Sequence, residues 1–341
     1  MARNNSRKRL AITMGDPCGT GPEIIVKALE SFKGKDAPSF VIVGDEEVLA
    51  EAAKRYGGPA FKEAWKKAEH TESVDIAAES SSRLAVLFKS NLKFTDIIAG
   101  RPGAGEGKAA AAYLFAGLGL LQSGSCGGLV TAPVSKAGLK AGGFKYPGHT
   151  DWLGSMTGVK PVMMMAAGNL RTVPLTVHIP LSEVPAALTT GLVHETIMIV
   201  WRELQQKFGI KKPRLVVAGM NPHAGEGGLL GDDEEEVITP AIEKARNEGA
   251  TVTGPYPADT LFTAARRKTF DAALCPTHDQ AMLPVKTLSA TKAVNVTLGL
   301  PLVRTSPAHG TGPDIAWQGR ADPRSMEQAI KTAARLAGPM E

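Results

Sequence analysis

An α/β architecture, with a mostly parallel sheet covered by helices on both faces, is the fold class predicted by the 341-residue sequence. Three observations carry that prediction. Short apolar runs alternate along the chain with longer segments of helical period. The runs are continuously apolar rather than alternating, as strands buried on both faces must be. The hydrophobic share of 43% against 21% charged supports a large core, over a length that suits two domains.

The elements follow in order. Leu10–Met14 reads as a strand leading through a Gly- and Pro-rich turn into a helix over Glu23–Phe32. Ser39–Gly44 is a second strand, followed by a helix over Glu46–Tyr56. The polar stretch Glu69–Ser82 has no clear period. Lys108–Leu121 is rich in Ala and Leu and reads as a helix, and Gly128–Ala132 as a strand. Pro161–Ala167 and Arg171–Val177 form a strand pair, before a long amphipathic helix over Val193–Phe208. Arg214–Gly219 is a strand, Glu234–Asn247 a helix, Ala272–Pro276 a strand and Met326–Leu336 a closing helix. Without repeats or low-complexity linkers, any domain boundary must be crossed by structured segments. The expected division is 1–131 plus 305–341 for one domain and 132–304 for the other.

Composition excludes several classes. No apolar run reaches the roughly 18 residues of a bilayer span. The basic start, Met1–Arg9, lacks the apolar core of a signal peptide. Cys18, Cys126 and Cys275 are odd in number and far apart, which favours a reducing compartment, the cytoplasm, over a disulfide framework. The net charge of +5 suits an anionic small substrate. Nucleic acid is disfavoured because Lys and Arg are scattered and aromatic residues make up only 5% of the chain.

Open α/β folds bind ligands past the carboxyl ends of their strands. The turn Gly15–Glu23 is anion-friendly but is not a Rossmann fingerprint. Arg101–Ala109 fails as a P-loop, because Pro102 stands where a Gly is needed and Ala109 follows Lys108. It reads as a loop ending at a helix. Five of the seven histidines share one setting, near a predicted strand end and flanked by Gly or Pro: His149, His178, His223, His278 and His309. Their matching positions suggest convergence on one cleft. His70 and His194 lie in polar, helical surroundings and read as surface residues. Imidazoles suit a divalent ion, but without paired spacing the residues leave metal ligation and structural roles both open. The acidic run Asp232–Glu236 is better explained by the dipole of the helix it opens than as a metal site. Thr150, Lys286, Asn295 and Arg304, which ends the apolar run Leu298–Val303, could join the histidines in a phosphate or carboxylate clamp.

Six motifs carry a resemblance over nearly the whole chain: Thr13–Glu23, Tyr146–Asp151, Asn221–Gly228, Gly254–Phe262, His278–Gln280 and Val294–Pro301. In content and order the chain resembles the 4-hydroxythreonine-4-phosphate dehydrogenase family of vitamin B6 synthesis. His309–Ala316 also resembles the adenine-side cofactor loop of isocitrate and isopropylmalate dehydrogenases. The resemblance implies their fold, two α/β/α domains with an active-site cleft between them. It implies metal ligation by His178 and His223 together with His278 of the partner subunit, in a homodimer sharing its metal sites. The ion would be zinc, magnesium or cobalt. It implies substrate binding by His149, Thr150, Lys286, Asn295 and Arg304, and NAD or NADP along His309, Gly310, Thr311 and Asp314. Asp259 and Lys286 fall at catalytic positions, and Asp259 or a water on the metal would take the hydroxyl proton.

The implied reaction oxidises 4-hydroxythreonine 4-phosphate to a 2-amino-3-oxo acid, which decarboxylates to 3-amino-2-oxopropyl phosphate. Related enzymes oxidise 4-phospho-threonate, 4-phospho-erythronate or aromatic dicarboxylate cis-dihydrodiols. A metal-dependent hydrolase is the rival from another class. Asp151, the run Ala281-Met282-Leu283, Ala293 and Trp317 depart from common family residues. These departures bear on the exact substrate and on the choice between NAD and NADP.

Overall fold

The computed structural model describes residues 9–34, 37–146 and 148–338. The basic residues 1–8 and Pro147 of the Tyr146–Asp151 motif lie outside the described residues. Along the first part of the chain, β1 (Arg9–Thr13) leads into α1 (Gly21–Leu29), with Pro22 in its first turn. β2 (Ser39–Gly44) and α2 (Glu46–Tyr56) match their expected bounds. α3 (Pro59–Lys66) follows. The stretch without clear period contains β3 (Glu69–Thr71) and α4 (Val74–Glu79), so His70 stands in a strand rather than a helix. β4 (Leu84–Phe88) precedes α5 (Ala104–Gln122). α5 starts before Lys108 because Glu106 accepts a hydrogen bond from the Gly103 amide at 2.8 Å, so part of the second Gly-rich stretch is its first turn. β5 (Gly128–Thr131), α6 (Lys136–Ala141) and α7 (His149–Thr157) complete this part.

The middle of the chain opens with the hairpin β6 (Val162–Ala167) and β7 (Leu170–Pro174), turned at Gly168 with φ of 58°. α8 (Val184–Ala187) and α9 (Thr190–Gln206) lead to β8 (Leu215–Ala218). A π-helical turn over Glu234–Ile238 runs into α10 (Thr239–Asn247). Next come β9 (Val252–Tyr256), α11 (Ala258–Leu261), β10 (Ala272–Cys275), α12 (His278–Ser289) and β11 (Val294–Leu298). The chain then continues through β12 (Val303–Pro307) to α13 (Arg324–Leu336). The apolar run Leu298–Val303 is therefore a turn between two strands, and Arg304 lies inside β12 rather than at the end of a run.

The chain divides into two compact units, residues up to Gly158 with Leu300 onward, and Val159–Gly299. The residues between 132 and 158, expected in the second domain, pack with the first unit. The reason is local. A Cβ on Gly107 would stand 1.8 Å from the Gly138 carbonyl oxygen, so α5 and α6 touch backbone to backbone. Trp152 and Leu153 of α7 pack on Leu114 and Leu118 of α5 and on Leu300. β12 pairs with β5, which brings Arg304 into the same unit.

The strand order of the first unit is β3-β4-β2-β1-β5-β12, and every pair is parallel. Helices cover both faces. Gly117 of α5 stands over Thr13 and Leu129, whereas Gly128, one residue out of phase, meets Ala333 of α13. The second unit has the order β11-β6-β7-β10-β8-β9. There β6 runs antiparallel to both β11 and β7, and the pairs β7–β10, β10–β8 and β8–β9 are parallel. Among the described residues no single helix is long and apolar enough to cross a membrane.

Candidate functional site

In the first unit a buried cation stands beside a half-buried imidazole. Arg304 is 3% exposed, and β12 places it beside Leu129 of β5. Its Nε and Nη2 both donate to Thr131 Oγ1, at 3.2 and 2.7 Å, and Nη2 also donates to His149 Nδ1 at 3.1 Å. Burial lowers the Arg304 pKa to about 10, so the guanidinium keeps its charge at neutral pH. Burial first, and the Arg304 charge second, hold His149 well below the usual histidine range, so its imidazole is neutral. His149 Nε2 is sealed from solvent and has no partner among the described residues. The ring opens α7, whose anchoring by Trp152 and Leu153 holds it, and Thr150 follows in the same turn.

The loop expected to hold a cofactor follows β12. The Thr20 amide donates to the Thr311 carbonyl at 2.9 Å, and a Cβ on Gly19 would come within 3.0 Å of Thr311. The loop is thus seated on the turn that opens α1. A Cβ on Gly310 would meet nothing within 4 Å, which leaves the backbone there open to a ligand. His309 and Asp314 are exposed. Trp317 has φ of 60°, a left-handed conformation that favours Gly. It is held there by an indole N–H bond to the Pro17 carbonyl at 2.9 Å and by packing on Tyr56 and Phe94. Glu23 fastens the following segment, accepting from the amides of Gly319 and Ala321.

In the second unit three histidines follow three neighbouring strands. β7, β10 and β8 are adjacent in that order, and His178, His278 and His223 lie past their respective carboxyl ends. The rings of His178 and His278 are 6.1 Å apart within one chain. That proximity follows from the β7–β10 pairing, which continues as Leu175 and Thr176 donate to the carbonyls of Cys275 and Pro276. His278 Nδ1 lies 2.8 Å from Asp279 Oδ1. A proton shared there leaves Nε2 as a lone-pair donor. Among the described residues no three His, Cys, Asp or Glu side chains form a group that could hold a metal ion, and His223 does not complete one with the other two.

The His223 turn has a conformation of its own. His223, Ala224, Gly225, Glu226, Gly227 and Gly228 all have positive φ. Such backbone is strained for the residues with side chains, at on the order of 1–3 kcal/mol each. Glu234, 3% exposed, braces it by accepting from the Asn221 amide at 2.8 Å and from Asn221 Nδ2 at 3.0 Å. The helix dipole is therefore only part of the reason for the acidic run, since Glu234 is a buried support for the turn. α11, which carries the exposed Asp259, packs against this same turn. Lys286 lies on α12, where burial lowers its pKa. Asn295 is the second residue of β11, and its Oδ1 is sealed without a partner among the described residues.

Sequence reasoning passed over Thr131, Asn221 and Glu234. A Thr in a strand and a Glu in an acidic run carry no distinguishing pattern. Asn221 alone had a signal, as the first residue of a quoted motif. His70 and His194 pair with Glu46 at 3.1 Å and Glu248 at 2.9 Å, away from the other histidines in sequence and role.

Comparisons with known proteins agree over the whole chain. The family model of the pyridoxal phosphate biosynthetic protein PdxA matches residues 36–333. A 4-hydroxythreonine-4-phosphate dehydrogenase of Caulobacter vibrioides is 44% identical over 335 residues, covering 96% of this chain and 97% of that protein. The crystal structure of 4-hydroxythreonine-4-phosphate dehydrogenase from Klebsiella pneumoniae is similar with a TM-score of 0.83 at 34% identity, over 97% of this chain and 99% of that one. An isocitrate dehydrogenase from Methylococcus capsulatus, 14% identical, has a TM-score of 0.51 over 97% of this chain and 86% of its own, a likeness of fold. The chain is thus an α/β oxidoreductase of the isocitrate dehydrogenase-like fold. Within that class it belongs to the pyridoxal phosphate biosynthetic protein PdxA family.

Proposed function

We propose that the chain oxidises 4-hydroxythreonine 4-phosphate with NAD or NADP, as a divalent-metal-dependent homodimer. The product, a 2-amino-3-oxo acid, then loses carbon dioxide to give 3-amino-2-oxopropyl phosphate on the route to pyridoxine 5'-phosphate. The observation that carries this reading is the Arg304–His149 pair, a buried charged donor beside a sealed ring nitrogen that has no partner among the described residues. A buried guanidinium matches a phosphate group in charge and donor geometry.

The other residues take roles that their surroundings support. Asn295 Oδ1, sealed and unpartnered among the described residues, accepts a proton donor of the substrate. Thr150 adds a hydroxyl in the first turn of α7. Burial lowers the Lys286 pKa, in keeping with a catalytic position, and Asp259 or a water on the ion would take the hydroxyl proton. Asp259 adds a carboxylate on the element packed against the His223 turn. His178 and His223, with the partner subunit's His278, would hold the divalent ion. Their imidazoles are a fitting donor set, and His278 is oriented for it by Asp279. His309, Gly310, Thr311 and Asp314 would lie along the nucleotide, where the open backbone at Gly310 allows close approach. When bound, the ion polarises the substrate hydroxyl and the nicotinamide accepts the hydride.

Exposed apolar side chains support the dimer. Leu181 is 70% exposed near His178, Leu229 81% near His223, and Leu283 65% near His278. A partner subunit over these residues would remove them from water. The three cysteines are free and buried, in keeping with a reducing cytoplasm.

The test is turnover followed by the absorbance of the reduced nicotinamide. 4-Hydroxythreonine 4-phosphate is compared with 4-phospho-threonate, 4-phospho-erythronate and an aromatic dicarboxylate dihydrodiol, with NAD and NADP, before and after chelation. The expected result is fastest reduction with 4-hydroxythreonine 4-phosphate, abolished by chelator and restored by zinc, cobalt or magnesium. Preference for another substrate redirects the assignment within the family, and nucleotide-independent hydrolysis overturns it.

A further inference from the structure

We infer that Thr131 is a positioning residue, whose hydroxyl orients Arg304 and through it fixes which nitrogen of His149 carries the proton. This inference rests on the phosphate role given to Arg304 and His149 above.

The parallel register sets up the contact. Arg304 of β12 is opposite Leu129 of β5, so Arg304 shares a sheet face with Leu129 and, two residues on, with Thr131. Thr131 is the last residue of β5 and has no exposed surface. The Nε and Nη2 groups form one edge of the planar guanidinium, and both donate to the same Thr131 Oγ1. Two bonds converging on one atom restrain rotation of the plane as a single bond would not.

The plane then decides the imidazole. Nη2 also points at His149 Nδ1. A guanidinium only donates, so Nδ1 must supply a lone pair, and the proton of the neutral ring resides on Nε2. That Nε2–H is the sealed donor without a partner among the described residues. A buried N–H of this kind is held ready for an acceptor. The ring therefore offers a ligand one N–H donor beside a fixed positive charge, and no ring acceptor. Such a site favours an ionised phosphate oxygen and disfavours a hydroxyl or amine presented as donor.

The experiment compares Thr131→Val, which keeps the shape and removes the acceptor, with Thr131→Ser, which keeps the acceptor. Arg304→Ala serves as the reference. Three quantities are read: steady-state constants with the phosphorylated substrate, the Kd of inorganic phosphate by calorimetry, and the ¹⁵N shifts of the His149 ring. In Thr131→Val the KM for substrate and the Kd of phosphate should rise roughly tenfold or more, the loss of a charge-assisted hydrogen bond. The fall in kcat should be smaller and the nucleotide KM unchanged. Thr131→Ser should return within about threefold of the parent on the same scale. The His149 shifts should move from the Nε2–H pattern toward mixed tautomers in the Val variant alone. Unchanged constants in Thr131→Val, with Arg304→Ala impaired, overturn the positioning role and leave the phosphate reading standing. Equal impairment in Val and Ser shows a purely structural residue and also overturns it. If Arg304→Ala alters neither KM nor phosphate affinity, the phosphate reading itself fails.

Discussion

Asp16 shows how one side chain can carry a measurable consequence of burial. It is 3% exposed, and burial raises its pKa to about 6, although its Oδ1 accepts from the Cys18 amide at 2.9 Å. An unfolded Asp titrates near 3.9, so between about 4 and 6 the native state binds more protons than the unfolded state. The Asp16 contribution to stability therefore improves as pH falls through about 6, and is least favourable above it. Asp16→Asn keeps the bond to Cys18 and removes the ionisation. Thermal melts should show this variant ahead of the parent by at most about 3 kcal/mol at neutral pH, with the gap closing toward pH of about 4. A gap that does not change with pH would mean that the carboxyl is not held near neutrality. Trp317 is a second case at this scale. Its left-handed backbone is one that favours Gly, and its ring contacts offset the strain here.

Among the elements, the Asn221–Gly228 turn depends most on a distant partner. Six successive residues with positive φ follow His223 in the chain and include it. The turn is held by Glu234, which lies in a different element. Glu234→Gln would put an amide donor against Asn221 Nδ2 in place of an acceptor. The expected loss is about 1–3 kcal/mol in stability, read by denaturant melts. Because the turn carries His223, one of the metal ligands proposed above, affinity for cobalt or zinc should also fall by roughly tenfold or more, read by metal titration. Unaltered stability would remove Glu234 as the brace, whatever the metal result. The elements themselves were legible to different degrees. β2 and α2 match their expected bounds because turn residues mark both ends and the apolar period is clean. β11 and β12 are hidden in the sequence because the apolar run Leu298–Val303 spans the turn between them, where Leu300 and Leu302 pack in the α5–α7 core. α12 carries Pro284 inside it, and burial of Ala281 and Val285 sustains a helix that local propensity disfavours.

The whole-molecule prediction concerns assembly. Leu181, Leu229 and Leu283 are exposed and close in sequence to the three histidines, and in the proposed dimer a second copy would cover them. Leu283→Asp, on the exposed side of α12, should shift the protein from dimer to monomer in sedimentation, with loss of metal-dependent turnover. A dimer that survives this change would put the subunit interface on another surface. At this scale the division between units also differed from the sequence reading. Residues 132–158 join the first unit because α6 and α7 bury their contacts on α5, a fact without any mark at residue 131.

The sequence alone determined the α/β class, the positions of most strands and of several helices, and four of the five singled-out histidines near strand ends, whereas His149 opens α7. Hydrophobic period and turn residues are local properties, and the motifs keep their residues together along the chain. The tertiary structure decided which strands are neighbours, and hence that His178, His278 and His223 follow three adjacent strands. It also decided that Thr131 holds Arg304 and that Glu234 holds the His223 turn. The first pairing joins residues far apart in the chain and the second joins two separate elements, and such partners are set by strand register and packing rather than by any local pattern.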